Sequence, residues 1–146
     1  MTDEQPTVGF VCVGNAGRSQ MATAFAAEER ERRTLELRIV TGGTNPANHV
    51  HEPVIEAMAD RGIDVSDRVP RRITDADVRD CTHVVTMGCD AAEVFPDDWD
   101  GEHRDWDLPN PHGEGVEATA TLRDEIERRV GSLVDELEAS YPSRLD

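Results

Sequence analysis

The chain contains no lysine: its side-chain cations are 15 arginines, set against 31 aspartates and glutamates for a formal charge of −16. Such a balance leaves no basic patch for a phosphodiester backbone, which excludes nucleic-acid binding. The acids are spread along the whole chain rather than gathered in a tail. An acidic, lysine-free coat keeps a protein hydrated in concentrated salt, and a halophilic setting explains it better than a basic partner does. No apolar run reaches membrane-spanning length, and the opening residues Met1, Thr2, Asp3 and Glu4 are acidic rather than signal-like. A cytoplasmic protein without membrane association is therefore expected. Cysteine is scarce as well. Three residues, an odd number, do not make a disulfide framework and read instead as reduced thiols available for chemistry. No C-x-x-C pair and no His/Cys cluster at zinc spacing occurs, so neither a metal site nor a cofactor is expected.

What the chain does have is an alternation of strand and helix signals over 146 residues, the size of a single domain spanning 1–146. Residues 7–13 form an apolar strand signal, followed by a small-residue loop and a helix over about 19–32 with Met21, Ala24 and Phe25 on one face. A second strand is expected at 35–41, with Gly42-Gly43-Thr44-Asn45-Pro46 a loop by composition. Helical spacing covers 52–61 and ends at Gly62, and a short helix is expected from Thr74, with Asp77 completing a capping box. Residues 83–87 read as a buried strand, a further short strand is expected around Trp106, and a long helix spans about 116–139. This alternation predicts an α/β fold with a parallel sheet and helices on both faces, its ligand site at the carboxyl ends of the strands.

The chemistry-bearing motif lies where the first strand hands over to the first helix. Cys12 and Arg18 bracket Val13, Gly14, Asn15, Ala16 and Gly17. A loop of this kind holds a tetrahedral oxyanion: backbone N–H groups and the positive helix end converge on it, and the arginine forks onto two of its oxygens. The same field favours the thiolate of Cys12, making it a nucleophile aimed at whatever the loop has bound. Ser19 places a hydroxyl at the helix start within reach of that sulfur, and Asn15 can brace the loop through side-chain to backbone bonds.

The string VCVGNAGRSQMA (residues 11–22) resembles the oxyanion loop of the low-molecular-weight protein tyrosine phosphatase superfamily and, within it, the arsenate reductases related to those phosphatases. The resemblance runs through nearly the whole chain: TGGTNPA at 41–47, Val50-His51 through GIDVS at 62–66, VVTMGCD at 84–90, DWDLPNP at 105–111 and LRDEIERRV at 122–130. It implies a three-layer α/β fold around a four-stranded parallel sheet of order 2-1-3-4. Gln20 stands where the phosphatases usually have proline and the reductases often have glutamine. Cys89 matches the first resolving cysteine of the reductases. There the nucleophile forms a thiol–arsenate adduct, and the resolving thiol then attacks the nucleophilic sulfur, leaving a disulfide as arsenite departs. The structural alternative for Cys89 is a small hydrophobe at a strand end.

Two positions depart from the family pattern. Thioredoxin-coupled reductases carry another cysteine a few residues after the resolving one, where Ala92 and Glu93 stand here. Cys81 begins a strand, so it is expected at the far end of the sheet, in the core. Reduction then requires an external thiol, either a small molecule or a redoxin. The family's general acid, an aspartate before proline, is replaced by Asn110 before Pro111, and an amide cannot donate that proton. Asp107, or Asp105, is the expected substitute. The aromatic residues that grip phosphotyrosine are absent, with His112 and Gly113 in that stretch, which favours a small oxyanion. His49, His51 and His112 fall in loops bordering the crevice and read as solvated or capping residues. Three functions remain open: an arsenate reductase acting on arsenate or a phosphate-type oxyanion, a phosphatase using the same Cys12 and Arg18, and a non-catalytic oxyanion-binding regulator.

Overall fold

Strand β1, Thr7–Cys12, is buried along its whole length, as a strand covered on both faces must be. The computed structural model describes residues 5–89, 94–109 and 115–141. After β1 come α1 (Arg18–Arg33), β2 (Arg38–Gly43), α2 (Glu52–Ala59), α3 (Asp75–Arg79), β3 (His83–Met87), β4 (Glu102–Asp105) and α4 (Val116–Ser140). The strands form one sheet of order β2-β1-β3-β4 with every pairing parallel. This is the expected α/β sheet. Its register sets Cys12 beside Gly43 on one side and Met87 on the other, so three strands end together around the thiol.

The period of two along β1 sorts the core. Val8, Phe10 and Cys12 face α1, α2 and α4, packing with Met21, Phe25, Met58, Met87, Trp106, Ile126 and Leu133. Val11 faces the other way, with Ile73 and Val78 of the α3 region, Cys81, Val84 and Val94. Each of the large apolar side chains buried here contributes on the order of 2 kcal/mol. Trp106 is core: its ring lies 6.1 Å from that of Phe10.

Several element ends differ from the sequence expectation, each for a physical reason. α1 closes on Thr34 in the left-handed conformation (φ 54°), and the N–H of Leu35 returns to the carbonyl of Arg30, so residues 34–37 leave the helix instead of starting a strand. β2 accordingly begins at Arg38 and runs on into the diglycine. A Cβ at Gly42 would stand 2.8 Å from the backbone nitrogen of Ile73, and only glycine permits that approach. β4 ends just before Trp106 rather than around it. The capping box of α3 is present in both directions between Thr74 and Asp77. Among the described residues no helix is long and apolar enough to cross a membrane.

Candidate active site

Between Cys12 and Gly17 every backbone carbonyl is claimed by a donor. The N–H groups of Thr44, Asn45, Ala47 and His51 bond the carbonyls of Cys12, Val13, Gly14 and Ala16 at 3.1, 2.8, 2.9 and 3.1 Å. Gln20 Nε2 takes the carbonyl of Asn15 at 3.0 Å, and the N–H of Met21 takes that of Gly17 at 3.0 Å. With the carbonyls held outward, the amides are left to line the concave side, a nest of N–H groups at the start of α1. The strap over residues 44–51 shapes the loop from outside. A Cβ on Gly43 would collide with the carbonyl oxygen of Val13, so glycine is required for that contact.

Asn15 ties the loop together. It is fully buried with φ 52°, a left-handed conformation that asparagine tolerates better than most residues. Its Oδ1 accepts from the N–H of Arg71 at 3.0 Å and from Gln20 Nε2 at 3.2 Å. Its Nδ2 donates to Ser19 Oγ at 2.8 Å and to Thr41 Oγ1 at 2.9 Å. Thr41 in turn donates to the carbonyl of Phe10 at 2.9 Å. Since Ser19 Oγ already accepts from Asn15, its own hydrogen is free for Cys12 Sγ, 2.9 Å away. The N–H of Asn15 also reaches that sulfur, at 3.2 Å. Two donors therefore meet at a sulfur only 2% exposed, an arrangement suited to a thiolate.

Arg18 is buried as well. Its Nη1 donates to the carbonyl of Leu108 at 3.1 Å. On the other side it abuts Gly88 (φ +85°), where a Cβ would run into Nη1. Gly88 and Leu108 thus clamp the guanidinium. The cleft has a volume of about 440 Å³ and is lined by Cys12, Val13, Gly14, Ala16, Gly17, Arg18, Asn45 and His51.

The other expected residues fall around this centre. Cys89 is half-buried and its Sγ donates weakly to the carbonyl of Val11, 3.8 Å away, beside the end of β1. Burial, reinforced by the neighbouring Cys12 and Asp105 charges, pushes its thiol up to about 11. It packs with the core on the α3 side, whereas Cys12 belongs to the opposite face. Cys81 is buried in the α3-side core, donates to the carbonyl of Asp77 at 3.3 Å, and is pushed up to about 12 chiefly by desolvation. Neither Asp105 nor Asp107 lines the cleft. Asp107 is exposed, and Asp105 accepts a hydrogen bond from Thr86 Oγ1 at 2.8 Å. Ala92, Glu93, Asn110, Pro111, His112 and Gly113 lie outside the described residues, so the expectations resting on them are neither met nor altered here.

Sequence reasoning missed Asn45 as a cleft residue, the Gly88–Leu108 clamp and the bracing work of Gln20, Thr41 and Arg71. His51, read from sequence as a bordering residue, lines the cleft and supplies the N-cap position of α2. Its location two residues before Pro53, at a helix start, is the one local signal available. The clamp has none, because Arg18, Gly88 and Leu108 are distant in sequence.

The model of the family described as "Low molecular weight phosphotyrosine protein phosphatase" matches residues 7–143. The chain is 50% identical over 136 residues to a Halobacterium salinarum protein named "Putative arsenate reductase", covering 92% of this chain and 94% of that one. It is 30% identical over 132 residues to the "Glutaredoxin arsenate reductase" of Synechocystis, covering 87% of this chain and 95% of the relative. The solved Corynebacterium glutamicum thioredoxin-dependent arsenate reductase superposes with a TM-score of 0.77 at 31% identity, over 96% of this chain but 65% of that longer one.

Proposed function

Because the chain belongs to the low molecular weight phosphotyrosine protein phosphatase family, we propose that it binds a tetrahedral oxyanion over Cys12 and that this oxyanion is arsenate, which it reduces. The observation that carries the reading is the buried Cys12 sulfur under two donors, at the base of a loop whose carbonyls are all engaged elsewhere. The names of the relatives support arsenate over a phosphoester, and so does the presence of a second thiol, Cys89, whose Sγ reaches the Val11 carbonyl one residue before Cys12.

The amides of Val13, Gly14, Asn15, Ala16 and Gly17, with Arg18, hold the anion, and Ser19 steadies the thiolate. Cys12 Sγ attacks arsenic and forms an S–As bond as an oxygen leaves with protons as water. Cys89, deprotonated, attacks Cys12 Sγ. The S–S bond forms, the electron pair of the S–As bond passes to arsenic, and As(V) departs as arsenite, As(III). An external thiol or redoxin then supplies two electrons and two protons to reopen the disulfide. Asp107 is the proposed proton donor in place of Asn110. The halophilic expectation belongs to this reading, supported by the acidic, lysine-free composition, and a cytoplasmic setting is proposed with it.

A second reading is phosphomonoester hydrolysis through a phosphocysteine, favoured by the family itself, since the same Cys12, Ser19 and Arg18 arrangement serves it. Arsenate-dependent thiol oxidation and aryl phosphate hydrolysis, both measured in multimolar salt on the wild type and Cys89→Ser, separate the two. Loss of reduction with hydrolysis retained supports the reductase. Reduction unchanged in Cys89→Ser removes the resolving role.

A further inference from the structure

A hydrogen-bonded row on the α3 side of the sheet leads to the resolving thiol. Thr86 and Asp105 are register partners in β3 and β4, and His103 lies two residues before Asp105 on the same face. Thr86 Oγ1 donates to Asp105 Oδ1 at 2.8 Å. That commits the hydroxyl hydrogen, so His103 Nε2, 2.9 Å from the same oxygen, must be the N–H donor to it. The His103 ring is itself held by Phe95, at a centroid distance of 4.6 Å. Thr86 is also the register partner of Val11, whose carbonyl accepts from Cys89 Sγ. The thiol thus sits over β1, one strand spacing, about 4.8 Å, from β3, where Thr86 holds the carboxylate that Asp105 extends back from β4.

We propose that Asp105, oriented by Thr86 and His103, is the proton acceptor for Cys89 when that thiol attacks Cys12. The proposal rests on the resolving role given to Cys89 above. The S–H proton passes to the Asp105 carboxylate through one water, and the freed sulfur pair forms the S–S bond. The S–As pair stays on arsenic as arsenite leaves. Exposed Asp105 then returns the proton to water. A thiol that burial holds near 11 carries little thiolate at neutral pH and needs such an acceptor. Among the described residues, the titratable or charged groups around Cys89 are Cys12 across β1, Arg18 against Gly88, and Asp105 with His103 behind Thr86. Arg104 turns to the opposite face, onto Glu136 of α4 and its neighbour Glu102.

The two roles open to Asp105 predict opposite signs. A mere bystander charge makes Cys89 harder to ionise, so Asp105→Asn would speed disulfide formation. A proton acceptor predicts that it slows. The assay mixes fully reduced protein with arsenate, without reductant, and follows Cys12–Cys89 disulfide formation by quenched thiol alkylation and mass spectrometry from pH 6 to 10. Asp105→Asn, which keeps an oxygen for Thr86, is expected about 100-fold slower at pH 7. Its rate should then climb close to tenfold per pH unit, with phosphate affinity and melting temperature unchanged. Imidazole or formate in the buffer should restore part of the loss. Thr86→Val should show a smaller defect of the same form. An Asp105→Asn rate equal to or faster than wild type overturns the proposal. If Cys89→Ser abolishes reduction while Asp105→Asn is unimpaired, only the proton role falls. If Cys89→Ser reduces arsenate normally, the resolving role falls and this proposal falls with it.

Discussion

Replacing Gly88 by alanine tests the clamp on Arg18. Two effects are built into that position. Its φ of +85° lies in the region L-residues avoid, and the alanine costs about 1 kcal/mol there. That corresponds to a melting temperature lower by about 3 °C for a chain of this size. The second effect is specific. The new methyl points into Arg18 Nη1, so the guanidinium must swing off the carbonyl of Leu108, and at 7% exposure it has little room to settle elsewhere. A hydrogen bond to a charged group is worth about 1.5–3 kcal/mol. The phosphate Kd is therefore expected to weaken by about 10- to 150-fold, as measured by calorimetry in concentrated potassium chloride. Arg18→Ala supplies the control: in that background Gly88→Ala should still lower the melting temperature but should cost no further affinity, the coupling expected of two residues in contact. A phosphate Kd within twofold of wild type, or an equal loss in both backgrounds, refutes the argument that Gly88 exists to seat Arg18.

Ser19→Ala removes one of the two donors to Cys12 Sγ. Alkylation of Cys12 by iodoacetamide at neutral pH should slow by about tenfold, and an unchanged rate would mean that the N–H of Asn15 suffices. His83 gives a stability test. Its imidazole is pushed down chiefly by burial. The unfolded chain then takes up the proton first as pH falls, so its contribution is complete above about pH 6.5 and is lost as pH drops through the lower folded value. His83→Gln should flatten that part of the acid unfolding curve; a curve of unaltered slope would assign acid sensitivity to other groups.

The parts of this fold that could be read from the sequence are those whose cause is local. β3 and the α3 capping box follow from runs of a few residues, and α4 from an apolar spacing sustained over about four turns, from Leu122 to Leu137. β2 starts and ends elsewhere than its residues suggest because α1 closes in a left-handed turn at Thr34 and because a non-local contact, the close pass of Ile73, carries the strand through Gly42 and Gly43. The site divides the same way. Cys12 and Arg18 of the cleft, with Ser19 beside the sulfur, are legible from one heptad and its neighbour, whereas the role proposed for Cys89 comes from the family resemblance. Gln20 looked like a marker of family branch, whereas the structure gives it a task, holding the carbonyl of Asn15 outward. From sequence Asp105 reads only as a substitute acid for the cleft, because a sequence does not reveal which face of β4 carries it or that Thr86 holds it.

The six engaged carbonyls of the loop have a consequence for an anion approaching a chain of net charge −16. Their outward bonds fix the inward peptide dipoles, a positive surface carried by the backbone that neither a change of protonation nor counterions remove. In molar salt, fields from the acidic coat die away within about 3 Å, while donors in direct contact keep their full effect. The coat and the trap can therefore carry opposite signs on one small protein without working against each other.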